Sequence, residues 1–345
     1  MVVVGGGADP CQSSRDSRCG DADLRQCSSR AMEPRCLRYP EISMPQLRSI
    51  FLVANDEHPH SPAFERSRAL ALATGARVHI GAFCYSGAIA ALGAVSGEAM
   101  DNARAGLVAK AHKSAEQQAL FLRDMGVEAS SSAVWAHPAL QEILLQVDEQ
   151  KSDILIKDVH REPLLRRIVA SSLDQQLIRA CKLPVMLVVD DDRPLPRRIL
   201  VAADVMEGSS ELNSALMRHA RGLALQSDAE LHMAYVSEPF GSMGSEVVLS
   251  AAANVVLEAE VRKSRIEAFQ RFADAAQLPQ ERRHYLDGFA ATTLCSFAAE
   301  NAVDVIVAAN ANRSRMERWL LGSTAEQIVQ HSPCSLLTVP IEILA

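Results

Sequence analysis

The stretch AANANRSRMERWLLGSTAEQIVQHSPCSLLTVP, residues 308–340, decides the fold. It opens on the end of an apolar run and continues through a polar loop. The pair Gly322 and Ser323 then opens a segment of helical period, and a second apolar run follows at 335–339. A strand, a loop, a helix and a further strand in this order are typical of a parallel α/β sheet.

The same alternation runs through the whole chain from Met44 onward. Short apolar runs rich in β-branched residues are separated by longer segments of helical period, and we predict that these runs are strands. They lie at 49–54, 77–83, 131–135, 153–157 and 185–189 in the first half, and at 198–203, 229–236, 282–286, 304–309 and 335–339 in the second. The sequence therefore predicts two tandem α/β domains, each built on a five-stranded, parallel, Rossmann-like sheet.

The two halves form an internal repeat. Subtracting 152 from a residue number aligns Gly322 with Ala170 and Ser323 with Ser171. Segment 191–197 is rich in proline and charge, which resist continuing a strand or helix, so we predict a linker there. The predicted domains are accordingly 44–190 and 198–345.

Each half ends in an apolar strand that would leave an unpaired edge at the side of its sheet. We therefore expect 185–189 to pair with 335–339 across a pseudo-twofold axis. The two domains would then form an intramolecular pseudo-dimer, as if a dimer of single domains had been fused. The sequence leaves open whether the whole chain is a monomer or a homodimer.

Composition excludes several classes of protein. The 345 residues include 35 Lys and Arg against 42 Asp and Glu, a net charge of −7 that argues against nucleic acid as a partner. The longest uncharged apolar stretch, 81–97, is mostly Gly, Ala and Ser, so we expect a helix packed on a core or lining a pocket rather than a membrane span. We expect a cytoplasmic protein.

Residues 1–43 differ from the rest of the chain. They have no hydrophobic period, they contain four of the eight cysteines, and they lack the positive start and apolar core of a signal peptide. We expect a disordered tail, or translated upstream sequence ahead of a start at Met44. The four later cysteines stand singly in apolar surroundings and are expected to act as small core hydrophobes.

Two further segments are interpreted as structural rather than functional. The loop after the first predicted strand contains Asp56, Glu57, His58 and His60, but its prolines favour a solvated loop over a metal site. Trp135, which ends the third predicted strand, is followed by a proline-containing segment that we interpret as a strand-to-helix turn. We therefore predict no dedicated metal site.

The helix that begins after Gly322 is a candidate anion site. Free backbone N–H groups and the helix dipole both favour negative charge at a helix N-terminus, and Ser323 and Thr324 add hydroxyl groups. The alternative is that Ser323 only caps the helix.

Here the sequence resembles the universal stress protein family. Nucleotide-binding members carry G-x2-G-x9-G-(S/T) after the fourth strand and an Asp at the end of the first strand. That spacing falls on Ala309, Asn312, Gly322 and Ser323, and Asp204 takes the place of the Asp that contacts adenosine. The resemblance extends from about Met44 to the C-terminus, and the tandem layout is most similar to the E-type members.

The resemblance implies an adenine nucleotide alpha hydrolase-like fold, a stress role and an ATP site in the second domain. The residues it assigns to that site are Asp204, Asn312, Arg313, Gly322, Ser323 and Thr324. It also implies that Mg²⁺ accompanies ATP as part of the bound ligand.

Both halves depart from the family pattern. In the second, two of the three glycines are replaced, and each added Cβ costs about 1 kcal/mol, so we expect ATP affinity to fall by about 10 to 100 times. In the first, none of the three glycines remains and Asn55 replaces the Asp. The degenerate counterpart consists of Asn55, Lys157, His160, Arg161 and Ser171. Its basic loop would either hold an acidic group by charge or be solvated.

Three functions follow as hypotheses. The first is a non-enzymatic stress protein that binds an adenine nucleotide weakly in its second domain. The second is a stress-response interaction or small-molecule module in which both nucleotide sites are lost, with an apolar cleft near 81–97 and 247–257. The third is a weak ATPase, which the absence of an evident general base argues against. A protein partner is not identified by the sequence.

Overall fold

The computed structural model describes residues 47–55, 58–159, 161–162, 167–168, 172–189, 193–205, 209–238, 251–311 and 324–341. The expectations for residues 1–43 therefore lie outside the described residues.

Helices and strands alternate along the chain. Their bounds in chain order are β1 (Ser49–Val53), α1 (Pro62–Thr74), β2 (Arg77–Cys84), α2 (Gly87–Leu92), α3 (Gly97–Asp124), β3 (Ala129–Trp135), α4 (Ala139–Glu149), β4 (Ile154–Asp158), β5 (Arg161–Glu162), β6 (Arg167–Ile168), α5 (Ser172–Ala180), β7 (Val185–Val188), β8 (Arg198–Ala202), α6 (Ser210–Ser227), β9 (Glu230–Ser237), α7 (Ala251–Ala275), β10 (Arg283–Asp287), α8 (Ala290–Glu300), β11 (Val305–Ala311), α9 (Thr324–His331) and β12 (Ser335–Ile341). Each predicted strand is present to within about two residues at either end. The antiparallel pair β5 and β6 was not predicted.

One mixed sheet runs through both repeats. Within the described residues its strand order is β10-β9-β8-β11-β12-β7-β4-β1-β2-β3. Neighbouring strands are parallel except β7 and β12, which pair antiparallel with Thr338 opposite Val185. The expected pairing of the last strands of the two halves is therefore present, and it makes the sheet continuous.

Successive side chains of a strand point to opposite faces of the sheet. Both faces are apolar here, and helices cover both of them. Ile50 and Leu52 pack with α1, α3, α6 and α7 on one face. Phe51 and Val53 pack with α4, α5, α8 and α9 on the other. The central strands are apolar on both sides, as expected for a doubly covered sheet.

Local sequence sets the ends of α1. Ser61 is the N-cap, and its hydroxyl accepts a hydrogen bond from the Phe64 N–H at 3.3 Å, while Pro62 takes the first helical position. Gly75 ends the helix at φ 72° and donates its N–H to the Ala71 carbonyl at 2.8 Å.

Both repeats tie their fourth strand to their first with the same contact. In the first, Asp153 Oδ2 accepts hydrogen bonds from the N–H groups of Arg48 at 2.8 Å and Ser49 at 2.9 Å. In the second, Asp304 Oδ2 accepts from Arg197 at 2.6 Å and Arg198 at 2.8 Å. The repeat seen in the sequence thus extends to individual side-chain contacts.

We expected a helix over 81–97 that packs on a core or lines a pocket, and the expectation of packing on a core was wrong. Gly81 lies inside β2, where its lack of a side chain makes room for Phe51. The short helix α2 follows, and none of its residues is buried. None of the helices in the described part of the chain is both long and apolar enough to cross a bilayer.

Candidate functional site

The second repeat places Asp204 at a point where the strand order reverses. β8 lies between β9 and β11. The chain continues from β8 to β9 and β10 on one side, and then returns to β11 on the other side of β8. Ligands of doubly wound sheets bind at such points, outside the carboxyl ends of the strands. Asp204 follows β8 by two residues and is half-buried.

The backbone of Asp204 is fixed by one side chain. Its N–H donates to Asn213 Oδ1 at 3.0 Å, and Asn213 Nδ2 donates back to the Asp204 carbonyl. Asn213 lies in the first turn of α6 and is buried. Sequence reasoning missed Asn213; the available signal was a polar residue on the apolar face of a predicted helix.

Groups on several elements affect the pKa of the buried Tyr235. Burial raises the pKa of its hydroxyl, Arg265 acts to lower it, and Tyr285 and Asp204 add to the increase. Asp204 is therefore close enough to influence the electrostatics of β9.

The rest of the predicted second-repeat site is mostly outside the described residues. This holds for Asn312, Arg313, Gly322 and Ser323. Thr324 is the first residue of α9. The structure thus positions Asp204 and the start of α9, and the roles of the remaining residues stay predictions.

The first repeat differs from the expectation of an open basic loop. Lys157 is part of β4 and is buried, and its Nζ lies 2.8 Å from Asp174 Oδ1 in the first turn of α5. The same Nζ donates to the Asp158 carbonyl at 2.9 Å. The predicted strand that contains Lys157 is present, but the prediction that its charge belongs to a basic loop was wrong, because its ammonium is held inside the repeat.

Asn55 also has partners within the protein. Its Nδ2 donates to Asp158 Oδ2 at 3.5 Å and its Oδ1 accepts from the His58 N–H at 3.2 Å. Asp158 Oδ1 accepts from the Ala63 N–H at 2.7 Å, at the start of α1. The end of β1, the end of β4 and the start of α1 are thereby joined.

Two further residues of the degenerate counterpart, His160 and Ser171, lie outside the described residues. Arg161 lies in the β5–β6 pair, opposite Ile168. Position 158 of the first repeat corresponds to Asn310 of the second, whose Nδ2 instead donates to the Ile178 carbonyl of the first repeat. Equivalent strand ends therefore make different contacts in the two halves.

The histidine-rich loop is only partly described, since Asp56 and Glu57 fall outside the described residues. His60 Nδ1 lies 3.2 Å from Glu65 Oε1. In the part of the chain that the structure describes, no three metal-ligating side chains come together.

The expected structural roles of the later cysteines are confirmed. Cys84, Cys181, Cys295 and Cys334 are free and buried. Burial raises the pKa of Cys295 to about 11 and that of Cys334 to about 12, so neither is a thiolate near neutral pH. The predicted strand-to-helix turn after Trp135 is also present, since β3 ends at Trp135 and α4 begins at Ala139.

Comparison with protein families gives two matches along the chain. The model described as "Universal stress protein family" matches residues 48–189 and again residues 196–340. Together these segments cover most of the chain.

Curated relatives and solved structures agree with that match. Universal stress protein E of Photorhabdus laumondii is 23% identical over 301 residues, covering 86% of this chain and 96% of that protein. The universal stress protein E homolog of Haemophilus influenzae is 26% identical over 219 residues, covering 62% and 70%. A crystal structure of a protein of unknown function from Pseudomonas aeruginosa PAO1 shares the fold, with a TM-score of 0.64, 21% identity, and coverage of 85% of this chain and 92% of that one.

Proposed function

The chain belongs to the universal stress protein family, and from this premise we propose that it is a cytoplasmic, non-enzymatic stress protein whose second repeat binds an adenine nucleotide weakly. The tandem arrangement is shared with the E-type relatives.

The observation that carries the proposal is the placement of Asp204. A carboxylate at the carboxyl end of β8, beside β11, is suited to accept hydrogen bonds from the hydroxyl or amino groups of a nucleoside. Its backbone is held by Asn213 on both the N–H and the carbonyl side, so the site is preorganised. The N–H groups at the start of α9 would face the phosphates. The other proposed contacts to the nucleotide are Asn312, Arg313, Gly322, Ser323 and Thr324.

We assign no nucleotide to the first repeat. Lys157 is neutralised by Asp174 at 2.8 Å, and Asp158 is engaged by Asn55 and by the Ala63 N–H. A ligand phosphate would have to displace a buried carboxylate from Lys157, which costs the desolvation of both charges. The proposal is therefore one nucleotide per chain.

We infer further that the repeats, 44–190 and 198–345, form an intramolecular pseudo-dimer with five sheet strands from each half. The antiparallel contact of β7 with β12 and the matched pair Asp153 and Asp304 support this arrangement. The edge that a single domain would offer to another subunit is then already paired within the chain.

We propose binding without turnover. Hydrolysis of ATP needs a base that positions water and usually a metal ion held by the protein, and the sequence shows no motif that supplies such a base. Mg²⁺ fits the proposal as the counter-ion of the phosphates at the start of α9, where the hydroxyl groups of Ser323 and Thr324 would be suitable oxygen ligands.

The test is calorimetric titration of the full chain with MgATP. The decisive variant is Gly322→Val, which places a branched side chain at the start of the helix where the phosphates would approach. Its matched control is Ala170→Val, the same change at the equivalent position of the first repeat. We expect one site per chain, abolished by Gly322→Val and unaffected by Ala170→Val.

Equal loss in both variants, or two nucleotides per chain, would contradict the one-site assignment. No binding at all in the unmodified chain would favour the alternative of a module that has lost both nucleotide sites. Release of phosphate that stops on Asp204→Asn would overturn the non-enzymatic assignment.

A further inference from the structure

A cleft lies at the outer end of the sheet in the second repeat. Its volume is about 250 Å³, and it opens between α7 and the carboxyl ends of β9 and β10. The described lining residues are Ser237, Glu238, Glu258, Val261, Arg262, Arg265, Asp287 and Gly288.

The equivalent strand ends of the first repeat carry different side chains. Cys84 pairs with Trp135 there, as Ser237 pairs with Asp287 in the second repeat, so Trp135 and Asp287 hold equivalent positions. The next residue along the second strand is Tyr85 in the first repeat and Glu238 in the second.

Aromatic rings stand together at the first-repeat position. The ring of Tyr85 stacks on His137 with centroids 4.0 Å apart and lies 5.2 Å from Trp135. The guanidinium of Arg104 lies over Trp135 at 5.8 Å. The second repeat has carboxylates in place of two of these rings, and the cleft is open there.

Most of the positive charge in the cleft is already engaged. Arg262 forms a two-pronged ion pair with Asp287, with Nη2 to Oδ2 at 2.8 Å, and its guanidinium lies 5.1 Å from the centre of the Tyr285 ring. Arg265 Nη1 lies 3.5 Å from Ser237 Oγ, on the side of the buried Tyr235. An anion entering the cleft would find both guanidinium groups facing protein atoms.

Negative charge is in excess by one. The described lining carries the carboxylates of Glu238, Glu258 and Asp287 against the two guanidinium groups. Glu238 uses Oε1 to accept the Ala290 N–H at 3.2 Å, which leaves its second oxygen for another donor.

Apolar surface lies next to these carboxylates. Val261 lines the cleft between Glu258 and Arg262 of the same helix. A carbon chain packed against it would remove apolar area from water.

We propose that this cleft is a binding site for a small organic amine. The ammonium group contacts Glu258 and the second oxygen of Glu238, and the carbon body lies against Val261. The site is separate from that of the nucleotide and stands whether or not ATP binds.

The test uses 1,4-diaminobutane as the probe in calorimetric titrations of the full chain at low salt. Succinate, which has the same carbon chain length and opposite charge, is the matched ligand control. Glu258→Gln is expected to weaken diamine binding by about fivefold, the effect of one partly exposed ion pair. Glu267→Gln, an exposed glutamate of α7 outside the described lining, makes the same charge change and should leave binding unaltered.

A second variant tests the cleft itself. Asp287→Trp introduces the residue that fills the equivalent position of the first repeat, and it should abolish diamine binding while the affinity for MgATP is kept. Absence of diamine binding to the unmodified chain, equal affinity in Glu258→Gln, or preference for succinate would each overturn the proposal. Competition between the diamine and ATP would overturn the separateness of the two sites.

Discussion

Lys157 Nζ lies 2.8 Å from Asp174 Oδ1, and the two side chains are 11% and 1% exposed. The pair joins the end of β4 to the first turn of α5. The position of Lys157 corresponds to Ala309 in the second repeat, which has no charge to offer. The two repeats therefore differ at this position. The first repeat has an internal ion pair there, whereas the second is proposed to bind a ligand.

Breaking this pair should destabilise the protein strongly. Lys157→Met leaves Asp174 buried without its cation, and we expect the free energy of unfolding to fall by about 3–5 kcal/mol. Urea denaturation followed by circular dichroism measures the change. The double variant Lys157→Met, Asp174→Leu should recover much of the loss, because no buried charge remains.

The control for this prediction is Lys151→Met. Lys151 and Asp148 are 76% and 84% exposed and 3.8 Å apart, so their removal should change stability by at most about 0.5 kcal/mol. Similar losses in Lys157→Met and Lys151→Met would contradict the importance assigned to burial.

Acid should destabilise the fold through His79. The ring nitrogens of His79 lie 2.8 Å from Ser130 Oγ and 2.9 Å from Ser132 Oγ, and burial lowers its pKa. The folded state then binds the proton less readily than the unfolded state. Stability from this group is complete above the unfolded pKa of about 6.5 and is lost as the pH falls toward the folded value, by at most about 1.4 kcal/mol per pH unit.

Denaturation curves between pH 7.5 and 5 would test this prediction. The variant His79→Asn should lose part of the pH dependence, whereas His112→Asn, which replaces an exposed histidine of α3, should keep it. Burial also lowers the pKa values of His219, His232 and His284. The contribution of His79 is therefore the difference in pH dependence of stability between the variant and the parent protein. An unchanged profile in His79→Asn would contradict the assignment.

Gly81→Ala should destabilise the first repeat by overpacking. A Cβ at this position would lie 2.7 Å from Phe51 Cζ and 3.0 Å from the Phe83 ring. We expect a loss of about 1–3 kcal/mol in the free energy of unfolding. Combining the change with Phe51→Leu should recover part of it, since the clashing ring is removed.

Gly106→Ala is the matched control. Gly106 lies within α3, and a Cβ there would meet nothing within 4 Å. The substitution should stabilise the protein by about 0.5–1 kcal/mol, because alanine is the better helix former. Destabilisation by both glycine changes would show that the crowding at Phe51 is not the cause.

The junction of the repeats depends on polar contacts as well as on strand pairing. Thr338 Oγ1 donates to the Val185 carbonyl at 3.2 Å, and both residues are buried. Thr338→Val keeps the shape and removes the donor, so we expect a loss of about 1–2 kcal/mol. Thr292→Val, which removes an exposed hydroxyl contact in α8, should cost less than about 0.5 kcal/mol in the same unfolding measurement. Equal costs would contradict a role for burial at the junction.

The alternation of apolar runs and helical segments was enough to predict the strands and their duplication. β-branched runs such as 185–189 and 335–339 favour strands wherever they occur, because both faces of a parallel sheet are buried. Their mutual pairing followed from the need to cover the last edge of each half. The approximate position of Asp204 followed in the same way, since it directly succeeds a predicted strand.

The failures have different causes. The hydrophobic pattern of 81–97 did not reveal that its helix α2 is short and has no buried residue, because small residues give no clear period. Lys157 was counted with the basic loop that follows its strand, because the sequence shows its charge but not its burial. Asn213 was overlooked because its partner is the backbone of Asp204, nine residues away.

The sequence alone thus determined the elements, their order and the repeat, because these depend on local propensity and on the periodicity of apolar residues. Only the tertiary structure decided which charges are paired within the protein. That outcome depends on distances between residues remote in sequence, such as Lys157 and Asp174 or Arg262 and Asp287, and on how completely each pair is removed from water. Two repeats with the same strands therefore differ in their candidate sites.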